Sequence, residues 1–314
     1  MGISKFWLLA AGGTAALTGM VTAAAGDDAD PRPGHAMAPQ AIYDTDDRTL
    51  IGEAPAEAQE LARSVVALVP TTDLQRVGDN YKVWGLTHGE DLGLCTGVAF
   101  SDIQSAADCS GVLIGPDLML TAGHCVPDMV QCQAYNYVLG FEVTDRNPEN
   151  VVSADQVYSC AGIAHAGGDV LDFTVVRLDR PVTDRPPIAL ETGPLNGGAP
   201  ITMIGHPSGL PQVLTDNAQV LAVRPDAYLT NLDAFGGNSG SPVFSAAGRV
   251  AGILVSGQSD FEEIQAAGRR CTKPVYYRCD GPRCEGGGEV VVRSDRIGQV
   301  SGLLPPNQPV AERP

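Results

Sequence analysis

Short apolar runs, many of them rich in Val, Ile and Leu, alternate along the chain with turns rich in Gly, Pro and Asp. Runs of this length and spacing predict the strands of an antiparallel sandwich or of a pair of barrels. An Ala/Glu-rich stretch, Glu53–Leu68, predicts a helical turn, and no repeat of fixed period is present. The predicted strands are Ser110–Ile114, Leu118–Ala122, Tyr135–Phe141, Thr174–Leu178, Ile201–Ile204, Val220–Val223, Pro242–Phe244 and Val250–Val255.

The two ends of the chain differ from this β-rich part. Lys5, an apolar stretch over Phe6–Val21 and three alanines form the pattern of a secretory signal peptide over residues 1–25. The apolar stretch is short for a membrane span of ~20 residues, so no stable membrane insertion is expected. Residues 26–40 are polar and contain proline, which predicts a pro-segment or linker, and residues 305–314 predict a disordered tail.

Composition narrows the class of protein. The 314 residues suffice for one large all-β domain or two modest ones. Lys and Arg number 20 against 37 Asp and Glu, and the resulting charge of −17 argues against a phosphate-binding nucleic-acid protein, which needs a basic face. The 37 glycines and 23 prolines disfavour long helical bundles. The eight cysteines of a chain predicted to be exported favour disulfides over metal ligands.

One candidate for catalysis lies at the end of a predicted hairpin. Two apolar runs flank the turn Gly115–Asp117, and His124 directly follows the second run. Cys109 and Cys125 stand at the two ends of this hairpin and could clamp it. Taken alone, such a histidine is more often a structural residue than a catalytic one.

Two further segments carry a carboxylate and a serine. Asp172 lies just before a predicted strand, and Ser239 lies in the glycine-rich turn Gly236–Ser241. A histidine activates a serine hydroxyl by removing its proton, and a carboxylate holds the imidazole in the required tautomer. Glycine before the serine lets backbone N–H groups point at a developing oxyanion. The chain order His, Asp, Ser differs from that of α/β-hydrolases and of subtilisins.

Two of these segments, Thr121–Cys125 and Gly237–Pro242, resemble the trypsin/chymotrypsin superfamily of serine endopeptidases. The asparagine before the serine and the Gly-Ser-Pro-Val continuation resemble its bacterial, glutamyl-endopeptidase-like branch, and Ala41–Arg48 resembles the mature start of that branch. The resemblance covers residues 41–302.

The resemblance implies an all-β fold of two antiparallel six-stranded β-barrels with the active site in the cleft between them. One barrel is expected over about residues 60–185 and the other over about 186–302, within a protease domain spanning 41–304. It also implies the family's disulfide beside the histidine, between Cys109 and Cys125.

The resemblance further implies the roles of the site residues. His124 is expected to be the general base, Asp172 the orienting acid and Ser239 the nucleophile, with the N–H groups of Gly237 and Ser239 as the oxyanion hole. Asp169 competes with Asp172, and Ser241 competes with Ser239, although only Ser239 follows Gly-Asn. Four other histidines are not expected to be catalytic: His35, His88, His165 and His206.

The chain departs from trypsin at the residue before the nucleophile. Asn238 stands where trypsin-like enzymes carry the acid that receives the new N-terminal ammonium, so activation cannot proceed in the same way. We expect a pro-segment of this zymogen to be removed near Gln40–Ala41 without that switch.

Substrate preference depends on the pocket that binds the substrate residue immediately before the scissile bond. Asp233 lies six residues before Ser239, the spacing of the acid at the base of trypsin's pocket, which would favour Lys or Arg substrates. The alternative is that Asp233 caps a turn in Thr230–Ala234. Ser256 and Gly257 are the other candidate substrate-binding residues.

A preference for substrates with Glu before the scissile bond is disfavoured by comparison with glutamyl endopeptidases. Leu254 stands where glutamyl endopeptidases use a histidine, and leucine cannot hydrogen-bond a glutamate. Asp260, just beyond, could add negative charge near the pocket.

The predicted chemistry needs no cofactor, and no metal is expected. We also expect a Cys132–Cys160 pair, while the partners of four cysteines stay open: Cys95, Cys271, Cys279 and Cys284. The sequence thus predicts a secreted, monomeric serine endopeptidase with protein or peptide substrates. Two alternatives remain, an inactive binding protein on the same fold and an esterase that uses the same triad.

Overall fold

Apolar β-branched runs form the strands of the protein, as their alternation with glycine and proline turns indicates. The structure, a computed structural model, describes residues 41–144, 151–168, 171–266 and 268–303. In chain order the strands are β1 (Ile42–Tyr43), β2 (Arg48–Leu50), β3 (Val65–Pro70), β4 (Leu74–Val77), β5 (Asn80–Val83), β6 (Cys109–Leu113), β7 (Leu118–Thr121), β8 (Tyr135–Leu139), β9 (Val151–Ser153), β10 (Val157–Tyr158), β11 (Cys160–Ala166), β12 (Thr174–Leu178), β13 (Pro200–Gly205), β14 (Val213–Val223), β15 (Ala227–Thr230), β16 (Pro242–Ser245), β17 (Val250–Ser256), β18 (Phe261–Ala266), β19 (Arg269–Pro274), β20 (Tyr276–Tyr277), β21 (Cys279–Asp280), β22 (Arg283–Cys284) and β23 (Glu289–Arg293). The α-helices are α1 (Ala56–Ala62), α2 (His88–Leu92), α3 (Met129–Ala134) and α4 (Ser294–Ser301).

All eight predicted strands are present, and they are β6, β7, β8, β12, β13, β14, β16 and β17. The predicted helical turn is α1, inside Glu53–Leu68. The signal peptide, pro-segment and tail predicted for residues 1–25, 26–40 and 305–314 lie outside the described residues.

The N-terminal half of the described chain forms one antiparallel sheet. Its strands lie in the order β10, β8, β3, β6, β7, β12 and β11. The resemblance implies six strands here, whereas the structure has a seven-stranded sheet that curls into a half-barrel. Within the described residues the two end strands, β10 and β11, do not pair with each other, so the curled sheet stays open.

The C-terminal half forms a closed barrel, as expected. Six strands follow each other around it in the order β13, β16, β17, β23, β15 and β14, and antiparallel pairing of β14 with β13 closes the ring. β2, from the start of the described chain, adds to this barrel by pairing with β14. The expected two-barrel architecture is therefore confirmed, with one barrel closed and the other curled.

A continuous apolar core links the two sheets. One cluster of buried side chains contains Val66 and Leu120 of the N-terminal sheet together with Ile204 and Ile253 of the closed barrel. α4 packs Ile297 into the same cluster. Because the two sheets share this core, the loops that meet between them are held in fixed positions.

The structure pairs all eight cysteines. The disulfides are Cys95–Cys271, Cys109–Cys125, Cys132–Cys160 and Cys279–Cys284. The first links the loop after α2 to the β18–β19 hairpin, which the sequence does not reveal because these two segments are far apart in the chain. In the part of the chain that the structure describes, no helix has the length and apolar character to cross a bilayer.

Candidate active site

His124 lies where the hairpin of β6 and β7 ends. β7 leads into a tight 3-10 turn, Gly123–Cys125, that contains the histidine. Cys125 forms a disulfide with Cys109 at the start of β6, so the turn is fixed to the neighbouring strand. The imidazole itself remains about one-third exposed, at 34%. A firmly held backbone thus presents a ring that solvent or substrate can reach.

Asp172 binds His124 twice. One carboxylate oxygen, Oδ2, lies 2.7 Å from the ring Nδ1, and the other, Oδ1, accepts the backbone N–H of His124 at 2.8 Å. A Cβ at Gly123 would lie 2.7 Å from Oδ1, so only glycine permits this close approach. Burial alone would raise the pKa of Asp172, but its hydrogen bonds with His124 hold that pKa below its ordinary value. The carboxylate is therefore ionised and fixes both the orientation and the tautomer of the ring.

Ser239 lies in a turn that is bonded to the β6 hairpin and to β17. Its carbonyl oxygen accepts the N–H of Ser110 at 2.8 Å and lies 3.6 Å from the Sγ of Cys125. The next residue, Gly240, donates its N–H to Leu254 at 2.7 Å. These contacts bring the turn of the serine next to the turn of the histidine, although 115 positions separate the two residues in the sequence.

The amides expected to form the oxyanion hole have no internal acceptor. Among the residues that the structure describes, neither the N–H of Gly237 nor that of Ser239 donates a hydrogen bond. Gly237 has a φ of +94°, and a Cβ there would lie 2.4 Å from the carbonyl oxygen of His206, so the position requires glycine. The arrangement leaves both N–H groups able to bind an anionic oxygen.

A buried serine orients this peptide. Ser110 Oγ donates to the carbonyl oxygen of Gly237 at 2.8 Å and accepts the N–H of His206 at 3.0 Å. Sequence reasoning missed Ser110, because a serine inside an apolar strand carries no motif of its own.

The other serine, aspartate and histidine residues considered for catalysis either have structural roles or lie outside the residues that the structure describes. Ser241 is fully buried, and its hydroxyl donates to the side-chain oxygen of Asn238 at 3.2 Å. His88 and His206 are buried, and burial lowers the pKa of each to about 4, so both are neutral at physiological pH. Asp169 falls outside the described residues.

Three side chains at the site have atoms that commonly bind metals. Cys109, His124 and Cys125 place one such atom each within 4.8 Å of one another. The two sulfurs, however, are bonded to each other. A disulfide offers no thiolate, so this set does not fit a zinc-type site.

Asp233 is buried rather than placed at an open pocket. Its side chain is engaged by the start of the described chain, since Oδ1 accepts the N–H of Tyr43 at 2.7 Å and Oδ2 accepts that of Asp47 at 3.0 Å. The residue is 2% exposed, and burial raises its pKa to about 7. Both oxygens of this carboxylate therefore hold the main chain of the N-terminal segment.

The candidate substrate-binding stretch lies at the end of β17. Ser256 is the last residue of the strand, Gly257 follows it, and both are partly exposed. A Cβ at Gly257 would lie only 1.6 Å from Oε2 of Glu289, the first residue of β23. Sequence reasoning missed Glu289, because its place beside Gly257 depends on the pairing of β17 with β23 and on no local signal.

Comparisons with known proteins agree with this geometry. Residues 109–253, a span that contains His124, Asp172 and Ser239, match the family model of the trypsin-like peptidase domain. No curated protein sequence matches the chain.

Solved structures also match the chain at low sequence identity. A Glu endopeptidase in complex with MPD is 17% identical over 74% of this chain and 92% of its own length, with a TM-score of 0.46. The active form of the Rv3671c protease from M. tuberculosis is 16% identical over 90% of this chain and 96% of its own, also with a TM-score of 0.46. The family match over residues 109–253 and the two-barrel fold of the described residues together support a serine peptidase of the trypsin fold.

Proposed function

We propose that this peptidase is a secreted endopeptidase that hydrolyses peptide bonds through an acyl-enzyme. Ser239 is the nucleophile, His124 the general base and Asp172 the orienting acid. The observation that carries this proposal is the pair of hydrogen bonds that Asp172 accepts, at 2.7 and 2.8 Å, from the ring and the backbone of His124. A structural histidine does not need both, whereas a general base needs a fixed ring and a defined tautomer.

The proposed reaction has two halves. Ser239 Oγ attacks the carbonyl carbon of the scissile bond while the free ring nitrogen of His124, Nε2, accepts the hydroxyl proton. The amides of Gly237 and Ser239 bind the negative oxygen of the tetrahedral intermediate. His124 then gives its proton to the leaving amine as the C–N bond breaks. Water, deprotonated by the same ring, hydrolyses the acyl-enzyme and restores the serine.

Secretion is supported by two independent features. The N-terminal sequence has the pattern of a signal peptide, and four disulfides are formed in the described chain. Disulfides persist in oxidising compartments, outside the cytoplasm. We propose that the enzyme acts there as a monomer on protein or peptide substrates, with chemistry that uses no cofactor.

Labelling with a fluorophosphonate tests the mechanism. We expect the wild-type protein to react at Ser239, as located by peptide mapping, and the Ser239→Ala variant to lose the label. Ser241→Ala is the matched control and should keep it, since the hydroxyl of Ser241 is buried and bonded to Asn238. A wild-type protein that folds but does not react would support an inactive binding protein instead.

A comparison of substrates separates a peptidase from an esterase. We expect the unlabelled wild-type enzyme to cleave casein into internal fragments. Rapid hydrolysis of short-chain esters together with intact casein would contradict the endopeptidase proposal and favour the esterase.

A further inference from the structure

The peptide that joins Gly236 to Gly237 carries the first of the two amides proposed to bind the oxyanion. Its carbonyl oxygen belongs to Gly236 and accepts the backbone N–H of Ser208 at 2.5 Å. In a trans peptide the C=O and the N–H point in opposite directions. The hydrogen bond from Ser208 on one side therefore turns the N–H of Gly237 to the other side, where it has no acceptor among the described residues.

Ser208 has a backbone conformation that is unusual for a residue with a side chain. It lies in the 3-10 turn Pro207–Gly209, between β13 and β14, with a φ of +49° and a ψ of +31°. This left-handed region is sterically unfavourable for L-residues other than glycine, and residues held in it concentrate at functional sites. In the described part of the chain, three other non-glycine residues have a positive φ: Asp44, Phe100 and Asn217.

The side chain of Ser208 does not account for this conformation. Its Oγ is buried and has no hydrogen-bond partner among the described residues, so no bond of the hydroxyl offsets the steric cost. What the conformation does provide is the backbone hydrogen bond to Gly236.

The chain on either side of Ser208 leaves its N–H little freedom to turn. Gly209 donates its N–H to the carbonyl oxygen of His206 at 3.0 Å, and its own carbonyl oxygen accepts the N–H of Ala106 at 2.8 Å. All three residues of the turn are buried. Because the chain after Ser208 is fixed in this way, a change in its φ would move its N–H away from Gly236.

We propose that Ser208 is a positioning residue of this peptidase, whose left-handed backbone holds the N–H of Gly237 toward the oxyanion of the tetrahedral intermediate. The proposal rests on the function proposed above. The negative oxygen forms only as the carbonyl carbon of the substrate becomes tetrahedral, so the contact with Gly237 acts in the transition state. Loss of the positioning should therefore lower kcat and leave KM nearly unchanged.

Variants of Ser208 that differ in their tolerance of a positive φ test the proposal. The substrate is an internally quenched peptide that spans a casein site cleaved by the wild-type enzyme. Ser208→Gly adopts the left-handed conformation freely and should keep kcat within about twofold of the wild type. Ser208→Val is branched at Cβ and strongly disfavours that conformation, so kcat should fall by about 100-fold while KM changes by less than about threefold.

The pH dependence of fluorophosphonate labelling gives a second readout. In Ser208→Val the maximal labelling rate should fall, but the pH of the half-maximal rate should stay that of the wild type. The reason is that the substitution leaves the hydrogen bonds between Asp172 and His124 unchanged.

Gly248→Val is the matched control for backbone conflict. Gly248 has a φ of +69° in the turn between β16 and β17, at the end of β16 that lies away from Ser239. A Cβ there would meet only an ordinary contact, 3.7 Å from a methyl group of Leu61, so the substitution adds an unfavourable φ without a clash. It should lower the melting temperature and leave kcat unchanged.

Ser208→Ala keeps the proposal testable if Ser208→Val does not melt cooperatively. Alanine differs from glycine by one methyl group and disfavours the left-handed region. The kcat of Ser208→Gly should then exceed that of Ser208→Ala by at least about threefold, and equal values would overturn the role of Ser208.

The remaining outcomes separate the two proposals. Labelling of the wild type at Ser239 together with an unchanged kcat in a folded Ser208→Val would overturn the positioning role and leave the peptidase mechanism intact. A loss of activity that lies in KM, or an equal loss of kcat in Gly248→Val, would overturn that role as well. An absence of both labelling and hydrolysis in the wild type would contradict the underlying function.

Discussion

Two side chains at this site position neighbouring groups by hydrogen bonds. Asp172 and His124 form the clearest case, since the same carboxylate binds the ring and the backbone of the histidine. Ser110 acts similarly on Gly237, whose carbonyl oxygen it binds at 2.8 Å. A residue of this kind contributes by holding another group in a reactive orientation, so its substitution should affect turnover more than substrate binding.

Replacing Asp172 with asparagine should lower kcat by about 10⁴-fold with little change in KM. The amide presents an N–H₂ group to the histidine, which favours the wrong tautomer and removes the charge that stabilises the imidazolium. Asp117→Asn is the matched control, because Asp117 is an acid paired with Arg177 at 2.6 Å on the protein surface. Steady-state kinetics on one peptide substrate measure both variants. An Asp172→Asn enzyme within tenfold of the wild type would contradict the assigned role.

Among the elements, the N-terminal segment Ala41–Leu50 joins the closed barrel from outside its ring. β1 runs parallel to β20, and β2 pairs with β14. The segment also reaches the loop before the nucleophile, since the N–H of Ala234 donates to the carbonyl oxygen of Ala41 at 2.9 Å. The guanidinium of Arg48 lies 4.2 Å above the ring of Phe235. The segment thus supports the loop that ends in the proposed oxyanion amides.

Truncation tests this support. A chain that begins at Ala41 should react with fluorophosphonate as fast as the mature wild type. A chain that begins at Arg48 lacks the two amides that bind Asp233, and it should react at least about tenfold more slowly while its circular dichroism still shows a β-rich fold. Equal labelling rates for the two chains would show that the segment is dispensable.

The sequence predicted those elements that have a local apolar pattern, and it did not predict contacts between residues that are distant in the chain. Strands with continuous apolar runs, such as β6 and β17, were predictable because burial on both faces leaves a local pattern. β23 has an apolar run of only three residues between Glu289 and Arg293, and β18 is largely exposed with charged residues, so each gives a weaker local signal. The proposed catalytic segments were predicted from short motifs. The hydrogen bonds that Asp233 accepts from Tyr43 and Asp47 were not predicted, because those residues lie 190 and 186 positions away in the chain.

The molecule as a whole is acidic, and some of its acids are buried near the site. The formal charge is −17, yet burial raises the pKa of Asp233 to about 7 and that of Asp260 to about 8. Glu289 shares this neighbourhood. Asp233 and Asp260, in loops beside the closed barrel, are therefore protonated over part of the physiological pH range.

This arrangement predicts that stability falls as pH rises from about 6.5 to about 8, whereas between about 4 and 6.5 the lowered pKa values of His88 and His206 act in the opposite direction. In the upper interval the folded protein keeps protons on Asp233 and Asp260 that the unfolded chain releases, so unfolding becomes more favourable with each increment of pH. Melting temperatures at fixed ionic strength should decline across the upper interval. High salt should reduce the part of this decline in melting temperature that repulsion between surface charges causes. The part caused by the buried carboxyl groups should remain. Asp260→Asn should flatten the decline, since its amide oxygen can still accept the N–H of Gly236 without a titrating proton. A melting temperature that rises with pH in the upper interval, or a variant with the wild-type slope, would show that these carboxyl groups do not govern the stability.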